Sequence, residues 1–225
     1  MPDAPLSPEL INYACNLFAP EDAALQELAQ AAREYGIPVW EVAPDVGRLL
    51  QVLCRAVGAK RVVEIGTLAG YSALWIAGAL PTDGQVISLE YNPEYAVFAR
   101  EQLAKSEAGS KVEVRVGTAL EMLPALEREA PFDVVFLDAD KEHYPKFLDW
   151  STRVLRPGGL LLADNVLHSS SWNGQKPSDP VADDPRVVGV REFNRRLAAD
   201  PRFTSIILSM RDGVATAVYR PGGNP

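Results

Sequence analysis

Three residues with oxygen-bearing side chains follow two apolar stretches that are expected to be strands. Asp138 comes directly after Phe132–Leu137, and Asp164 and Asn165 come directly after residues 159–163. If these strands are neighbours in a parallel sheet, their ends lie about 5 Å apart and the three side chains can converge on one point. Carboxylate and amide oxygens favour a hard cation. The pattern therefore predicts a site for Mg²⁺, with Ca²⁺ or Mn²⁺ as alternatives.

Each of these residues also has an ordinary structural explanation. Asp164 and Asn165 could form a turn after a strand, where both residue types are common. Asp138 could cap the helix that follows it. The metal site is favoured because three oxygen ligands at the ends of two neighbouring strands are harder to explain by separate local roles.

Lys141 lies three residues after Asp138 and is the candidate for proton transfer. Beside a divalent cation, like-charge repulsion would lower the pKa of its ammonium group, which would make the amine a general base near neutral pH. Without a cation, Lys141 would be an ordinary exposed lysine in an Asp-Lys-Glu stretch.

A second ligand site is predicted where the strand Arg61–Ile65 ends. The turn that follows carries Gly66 and Gly70, which let the backbone approach a ligand closely, although they could serve only tight turning and helix packing. Glu90 ends the next strand, where its carboxylate can accept hydrogen bonds from both hydroxyls of a ribose. The glycine spacing lacks the close pattern of a dinucleotide fingerprint, so it suits a ligand with a ribose and no pyrophosphate.

The order of the predicted elements places both sites at one edge of a sheet. Helices occupy residues 1–58 as an N-terminal cap, and strands alternate with helices from residue 59, in a single domain of 225 residues whose sheet core spans 59–220. Such alternation indicates parallel βαβ units, which bind ligands beyond the carboxyl ends of their strands. Residues 169–184 predict a long loop, and Arg211-Asp212-Gly213 predicts a hairpin that makes the last two strands antiparallel.

Composition excludes several classes of partner. The formal net charge of −8 argues against nucleic acid and anionic membranes, which attract basic surfaces. No apolar run approaches the ~20 residues of a membrane span, and the N-terminus lacks the pattern of a secretion signal, so a cytoplasmic location is expected. Cys15 and Cys54 lack disulfide or metal-ligand spacing and are predicted to be buried thiols.

Residues 62–72, 136–141 and 164–167 together resemble the cation-dependent O-methyltransferase family that holds catechol and caffeoyl-CoA O-methyltransferases. The resemblance extends over roughly residues 39–220. It implies a Rossmann-like class I methyltransferase fold of the α/β class: a seven-stranded, mostly parallel sheet with a reversed last strand and helices on both faces. It also implies S-adenosylmethionine (SAM) as methyl donor, a small hydroxylated aromatic acceptor, and a homodimer.

The resemblance further implies roles for individual residues. It gives the methionine end of SAM to Glu64, Gly66, Thr67 and Ser72, the ribose to Glu90, the adenine to Ala119, and the border of the site to Val42 and Asp140. Asp138, Asp164 and Asn165 match the metal ligands, and Asp138 would also serve the amino group of the methionine. Lys141 matches the proposed base. The expected activity is a SAM- and metal-dependent O-methylation of a catechol-like or hydroxycinnamoyl-type aromatic.

Departures from the family pattern leave the acceptor open. Ile206 stands where catechol methyltransferases carry a carboxylate, the segment Trp40-Glu41-Val42 is unusual, and residues 168–172 replace a common tryptophan and glycine. Other functions are disfavoured. A nicotinamide dehydrogenase would need different glycine spacing, and a nucleic-acid methyltransferase would carry an Asn/Asp-Pro-Pro-aromatic tetrad after strand four. The intact carboxylates and Lys141 speak against a non-catalytic protein with this fold.

Overall fold

The computed structural model describes residues 7–167 and 184–223, which contain a seven-stranded sheet. Its strands are β1 (Arg61–Ile65), β2 (Gln85–Glu90), β3 (Val112–Val116), β4 (Phe132–Leu137), β5 (Leu155–Ala163), β6 (Phe203–Leu208) and β7 (Val214–Tyr219). Their order is β3-β2-β1-β4-β5-β7-β6, and β7 is antiparallel to both of its neighbours. The predicted fold class, with its reversed last strand, is confirmed.

Helices cover both faces of the sheet. In the described residues they are α1 (Pro8–Phe18), α2 (Ala23–Tyr35), α3 (Pro44–Ala56), α4 (Tyr71–Ala77), α5 (Pro93–Leu103), α6 (Ala119–Glu127), α7 (Tyr144–Val154) and α8 (Pro185–Ala199). One core cluster lies between the sheet and α2–α5, and the other lies between the sheet and α6–α8. Strand β4 contributes Val134 and Phe136 to the first cluster and Val135 and Leu137 to the second, which explains its nearly continuous apolar sequence.

Local signals set the helix starts. Asp22 accepts a hydrogen bond from the Leu25 amide and so begins α2 two residues later than the apolar pattern indicates. Strand β5 starts at Leu155, although Pro157-Gly158 predicts a turn before a shorter strand. The strand begins early because Leu155 already pairs with Phe132, and the register between β4 and β5 then shifts before Val134.

The helical cap differs from expectation at its first helix. No residue of α1 is buried, so Cys15 is only partly covered, and the prediction of a buried thiol there is wrong. Cys54 on α3 is fully buried as predicted. In the described residues, no helix combines the length and the apolar content that crossing a membrane requires. The predicted loop at residues 169–184 lies almost wholly outside the described residues.

Candidate active site

The carboxyl ends of β1, β4 and β5 meet at one edge of the sheet. Ile65 pairs with Leu137, and Leu137 pairs with Ala163, so the residues after these strand ends are also neighbours. The Asp138 amide donates to the Ile65 carbonyl at 2.9 Å, and the Asp164 amide donates to the Leu137 carbonyl at 3.0 Å. The ladder thus extends one residue past each strand and brings Asp138 and Asp164 side by side, as predicted.

The turn after β1 depends on glycine at two positions for different reasons. Gly66 has φ +111°, and a Cβ there would collide with the carbonyl oxygen of Asp138. Gly70 has φ +91°, and its missing Cβ leaves room for the Leu103 side chain. The structural explanation offered by the sequence is confirmed, since Gly66 brings the turn against the end of β4 and Gly70 allows α4 and α5 to pack, while close approach to a ligand stays a prediction.

Glu90 is buried at the end of β2 and faces that same turn. One carboxylate oxygen accepts a hydrogen bond from the Leu68 amide at 2.7 Å, and the other accepts one from the Asn92 amide at 2.9 Å. Burial raises the pKa of Glu90, while the backbone donors oppose this shift. Each carboxylate oxygen has a second lone pair, so the group can still accept hydrogen bonds from a ribose.

Glu64 is fully buried within β1 beside two hydroxyl groups. Its Oε2 accepts a hydrogen bond from Ser88 at 2.5 Å, and Thr67 Oγ1 lies 2.5 Å from the Ser88 oxygen. Burial raises the pKa of Glu64 to about 7, the hydroxyls of Ser72 and Ser88 lower it, and the charge of Asp138 raises it further. Its Oε1 has no hydrogen-bond partner among the described residues. Since an unsatisfied buried acceptor is unfavourable, Oε1 fits the ammonium group of a bound methionine moiety.

Ser88 is a site residue that sequence reasoning missed. It faces Glu64 directly in the register of β1 and β2. The available signal was a serine in the middle of an otherwise apolar strand, at a position that alternation places on a buried face.

Lys141 forms a partly buried ion pair with Asp138. Its Nζ donates to Asp138 Oδ1 at 2.9 Å and lies 5.1 Å from the centre of the Tyr144 ring. Burial lowers the pKa of Lys141, but the Asp138 carboxylate and the Tyr144 hydroxyl outweigh it, so the pKa is raised. The lowering expected beside a divalent cation stays a prediction, since in the protein alone Asp138 is the partner of the ammonium group. The side chain is only 14% exposed, which also excludes the ordinary exposed lysine.

Asp164 and Asn165 combine a turn with a second carboxylate. The Asn165 amide donates to Asp164 Oδ1 at 2.8 Å, and Asn165 adopts a left-handed φ of +58°, which asparagine tolerates well. Burial raises the pKa of Asp164 to about 7, and the nearby charge of Asp138 adds to this. Asp138 does not cap a helix, since neither the short helix Lys141–His143 nor α7 has a side-chain cap.

The donor chemistry of this corner fits a hard cation. Asp138 and Asp164 bring two carboxylates to this corner against one lysine, Lys141, and Asn165 follows Asp164 with an amide side chain. In residues 7–167 and 184–223, no group of three or more histidine, cysteine, aspartate or glutamate side chains is arranged to hold a metal ion. The predicted ligand set is of another kind, with two carboxylates and the amide of Asn165.

The remaining predicted residues surround this edge to different degrees. Val42 is buried before α3, Ala119 is the half-buried first residue of α6, and Asp140 is exposed. Ile206 on β6 is 60% exposed and pairs with Thr216. Residues 168–172 lie outside the part of the chain that the structure describes.

The strand order and the acidic and glycine-lined edge define a class I SAM-dependent methyltransferase. An O-methyltransferase from Bacillus cereus in complex with S-adenosylhomocysteine (SAH) is similar, with a TM-score of 0.86 and 34% identity, and the match covers 94% of this chain and 97% of that one. TomG from Streptomyces achromogenes, an O-methyltransferase of tomaymycin synthesis solved with SAM, matches with a TM-score of 0.85 and 36% identity over 94% and 96% of the two chains.

Sequence comparison narrows this class to a family. The profile described as O-methyltransferase matches residues 16–220. A catechol O-methyltransferase from Niastella koreensis is 38% identical over 216 residues, which are 93% of this chain and 96% of that protein. The chain belongs to the O-methyltransferase family and is a SAM-dependent enzyme.

Proposed function

We propose that this enzyme requires a divalent metal ion and methylates one hydroxyl of a small aromatic acceptor that carries two vicinal oxygens. The observation that carries the proposal is a pair of carboxylates on adjacent strand ends beside Lys141, the partly buried Asp138 and the buried Asp164. The acceptor would be catechol-like or of the hydroxycinnamoyl type. Mg²⁺ is the preferred ion, with Ca²⁺ or Mn²⁺ as alternatives.

Asp138, Asp164 and Asn165 would hold the cation. When bound, it would supply Lewis-acid stabilisation of negative charge on an acceptor oxygen. Engagement of the Asp138 carboxylate in metal binding would take from Lys141 the partner that raises its pKa. The amine could then act as a general base, which agrees with the expectation from the sequence.

Side chains of the protein would bind SAM and accept the proton of the acceptor. Glu64 Oε1 would accept hydrogen bonds from the amino group of the donor, and Glu90 would accept them from the ribose. Lys141 Nζ would take the acceptor's hydroxyl proton. The acceptor oxygen then bonds to the methyl carbon as the carbon–sulfur bond of SAM breaks, which leaves SAH and the methyl ether. Holding both reactants in attack geometry contributes about 7–11 kcal/mol to such reactions.

The acceptor class rests on the relatives and on the metal chemistry. The Niastella koreensis relative is a catechol O-methyltransferase. Ile206 offers no hydrogen-bond acceptor to a second hydroxyl, whereas the catechol enzymes that the sequence resembles have a carboxylate there. This difference favours an acceptor that is larger or less polar than simple catechol.

The test is a methylation assay with SAM across catechols, caffeoyl-CoA and hydroxylated natural products, run with Mg²⁺ and with EDTA. Product is expected with at least one vicinal dioxygen acceptor and only when the metal is present. Full methylation of a catechol by the chelated enzyme would refute the metal role. Turnover restricted to acceptors with a single hydroxyl would refute the acceptor class. The homodimer expected from the resemblance stays a prediction, which light scattering after size-exclusion chromatography can test.

A further inference from the structure

Tyr144, the first residue of α7, joins the ends of two neighbouring strands through one hydroxyl group. The side chain is fully buried. Its oxygen lies 3.1 Å from both the Leu137 and the Asp164 carbonyl oxygens, so the single O–H is shared between these two acceptors. Leu137 immediately precedes Asp138, and the Asp164 carbonyl belongs to the peptide that leads into Asn165. The hydroxyl therefore contacts the backbone beside all three of the proposed metal ligands.

This contact lies where the parallel ladder ends. The last hydrogen bond between the two chain segments runs from the Asp164 amide to the Leu137 carbonyl. The Asp164 carbonyl lies one residue beyond the last register pair, Leu137 with Ala163. Tyr144 supplies a hydrogen-bond donor to this carbonyl. The following residue, Asn165, has a left-handed φ of +58°. Because Tyr144 contacts the peptide that joins Asp164 to Asn165, its hydroxyl bears on the backbone from which the Asn165 side chain starts.

Other contacts hold the Tyr144 ring independently of its hydroxyl. The Phe193 ring of α8 meets it edge to face, with the ring centres 5.4 Å apart. The Lys141 ammonium lies over its face. Replacement by phenylalanine would keep these ring contacts and remove only the hydroxyl, which makes the two roles separable.

We propose that Tyr144 is a positioning residue that aligns Asp138, Asp164 and Asn165 for a divalent cation by fixing the backbone of both strand ends. The inference rests on the proposed metal dependence of the enzyme. Groups that orient metal ligands from behind typically change metal affinity by about 10–100-fold when they are removed. Tyr144 acts through the backbone of the β4 and β5 ends, whereas Glu64 and Glu90, which are proposed to hold SAM, lie on β1 and β2, so metal affinity should change more than SAM affinity.

The test compares the full-length protein with Tyr144→Phe. Mn²⁺ affinity is measured from the electron paramagnetic resonance signal of the free ion, and SAM affinity is measured by calorimetry. The variant is expected to bind Mn²⁺ about 10-fold or more weakly, with a smaller change in SAM affinity. Its KM for Mg²⁺ should rise by a larger factor than kcat at saturating Mg²⁺ falls.

Tyr219→Phe is the matched control. The Tyr219 hydroxyl also donates to a backbone carbonyl, that of Thr152 at 2.9 Å, and Tyr219 is 7% exposed. This variant loses the same kind of hydrogen bond at a different place, so its Mn²⁺ affinity should equal that of the wild type. An equal loss in both variants would show a general effect of stability and would overturn the inference.

The remaining outcomes are distinct. Wild-type protein that binds no Mn²⁺ overturns the proposed metal dependence together with this inference. Wild-type binding with undiminished affinity in Tyr144→Phe overturns this inference alone. If Tyr144→Phe fails to fold, as judged by circular dichroism and thermal unfolding, Phe193→Leu replaces it, because that change removes the ring that supports Tyr144. Weaker Mn²⁺ binding with intact SAM binding then supports the role, and unchanged Mn²⁺ binding contradicts it.

Discussion

The carbonyl oxygen of Asp138 occupies the space in which a side chain on Gly66 would lie. Through this contact the turn after β1, which is expected to hold SAM, rests directly on the strand end that is expected to hold the metal. The SAM site and the metal site therefore adjoin through this backbone contact, and a side chain at Gly66 must displace one of them.

Gly66→Ala is expected to abolish SAM binding, because a methyl group at φ +111° must push the Asp138 backbone aside. Gly36→Ala is the matched control, since Gly36 also has a positive φ, +90°, but a Cβ there meets nothing within 4 Å. The control should lose about 1–2 kcal/mol of stability from backbone strain and keep its SAM affinity. Calorimetry with SAM and thermal unfolding separate the two effects. Normal SAM binding by Gly66→Ala would contradict the importance of the contact between Gly66 and the Asp138 carbonyl for the SAM site.

Glu64→Gln is expected to weaken SAM binding and to remove part of its pH dependence. The pKa of Glu64 is raised to about 7, so ionisation of the wild-type carboxylate over this range should strengthen its attraction for the ammonium group of SAM. Calorimetry at several pH values should show wild-type affinity that rises through about pH 7, whereas the variant should give a flatter curve. Parallel curves for the two proteins would argue against Glu64 as the ammonium partner.

The same group links pH to the stability of the ligand-free protein. Because the folded pKa of Glu64 lies above the ordinary value of about 4.3, the folded protein binds the proton more tightly. The contribution of Glu64 to stability is present below pH ~4.3 and is lost as the pH rises through about 7. The free energy of unfolding of the wild type should therefore fall relative to that of Glu64→Gln across this window, by roughly 2–4 kcal/mol. Denaturant titrations at the two ends of the window measure the difference.

Lys141→Ala is expected to lower kcat by about 10²–10⁴-fold, because the variant lacks the group that takes the acceptor proton. SAM affinity should remain close to that of the wild type, since the lysine pairs with Asp138 and lies outside the Glu64 and Glu90 contacts. Lys60→Ala serves as a control on an exposed ion pair with Asp83. Steady-state kinetics with saturating Mg²⁺ make the comparison, and an unchanged rate at neutral pH would remove Lys141 from the mechanism.

Asp164→Asn should separate stability from metal binding. Without a cation, the variant lacks the repulsion between Asp138 and Asp164, so in EDTA at about pH 8 it should unfold at a higher temperature than the wild type. Added Mn²⁺ should stabilise the wild type and have little effect on the variant. Asp149→Asn, on the exposed side of α7, should show neither the higher unfolding temperature in EDTA nor the loss of stabilisation by Mn²⁺. Equal stabilisation of both proteins by Mn²⁺ would exclude Asp164 as a ligand.

Several features of the site could not be predicted from the sequence. The sequence does not show that Lys141 pairs directly with Asp138, a contact that raises its pKa in the protein alone. Ser88 and Tyr144 were not recognised because their roles depend on strand register and on a helix packed behind the sheet. Cys15 lies on an apolar-patterned helix that buries none of its residues.

The sequence by itself determined the alternation of strands and helices, the bounds of β1, β4 and the final hairpin strands, and which residues follow each strand. These are local properties, because hydrophobic periodicity and turn residues act within a few positions of the chain. The tertiary structure alone decided that β4 lies between β1 and β5, which brings Gly66, Asp138 and Asp164 together. It also decided which carboxylates are buried, and hence their pKa values, because burial and charge proximity depend on residues far apart in the chain.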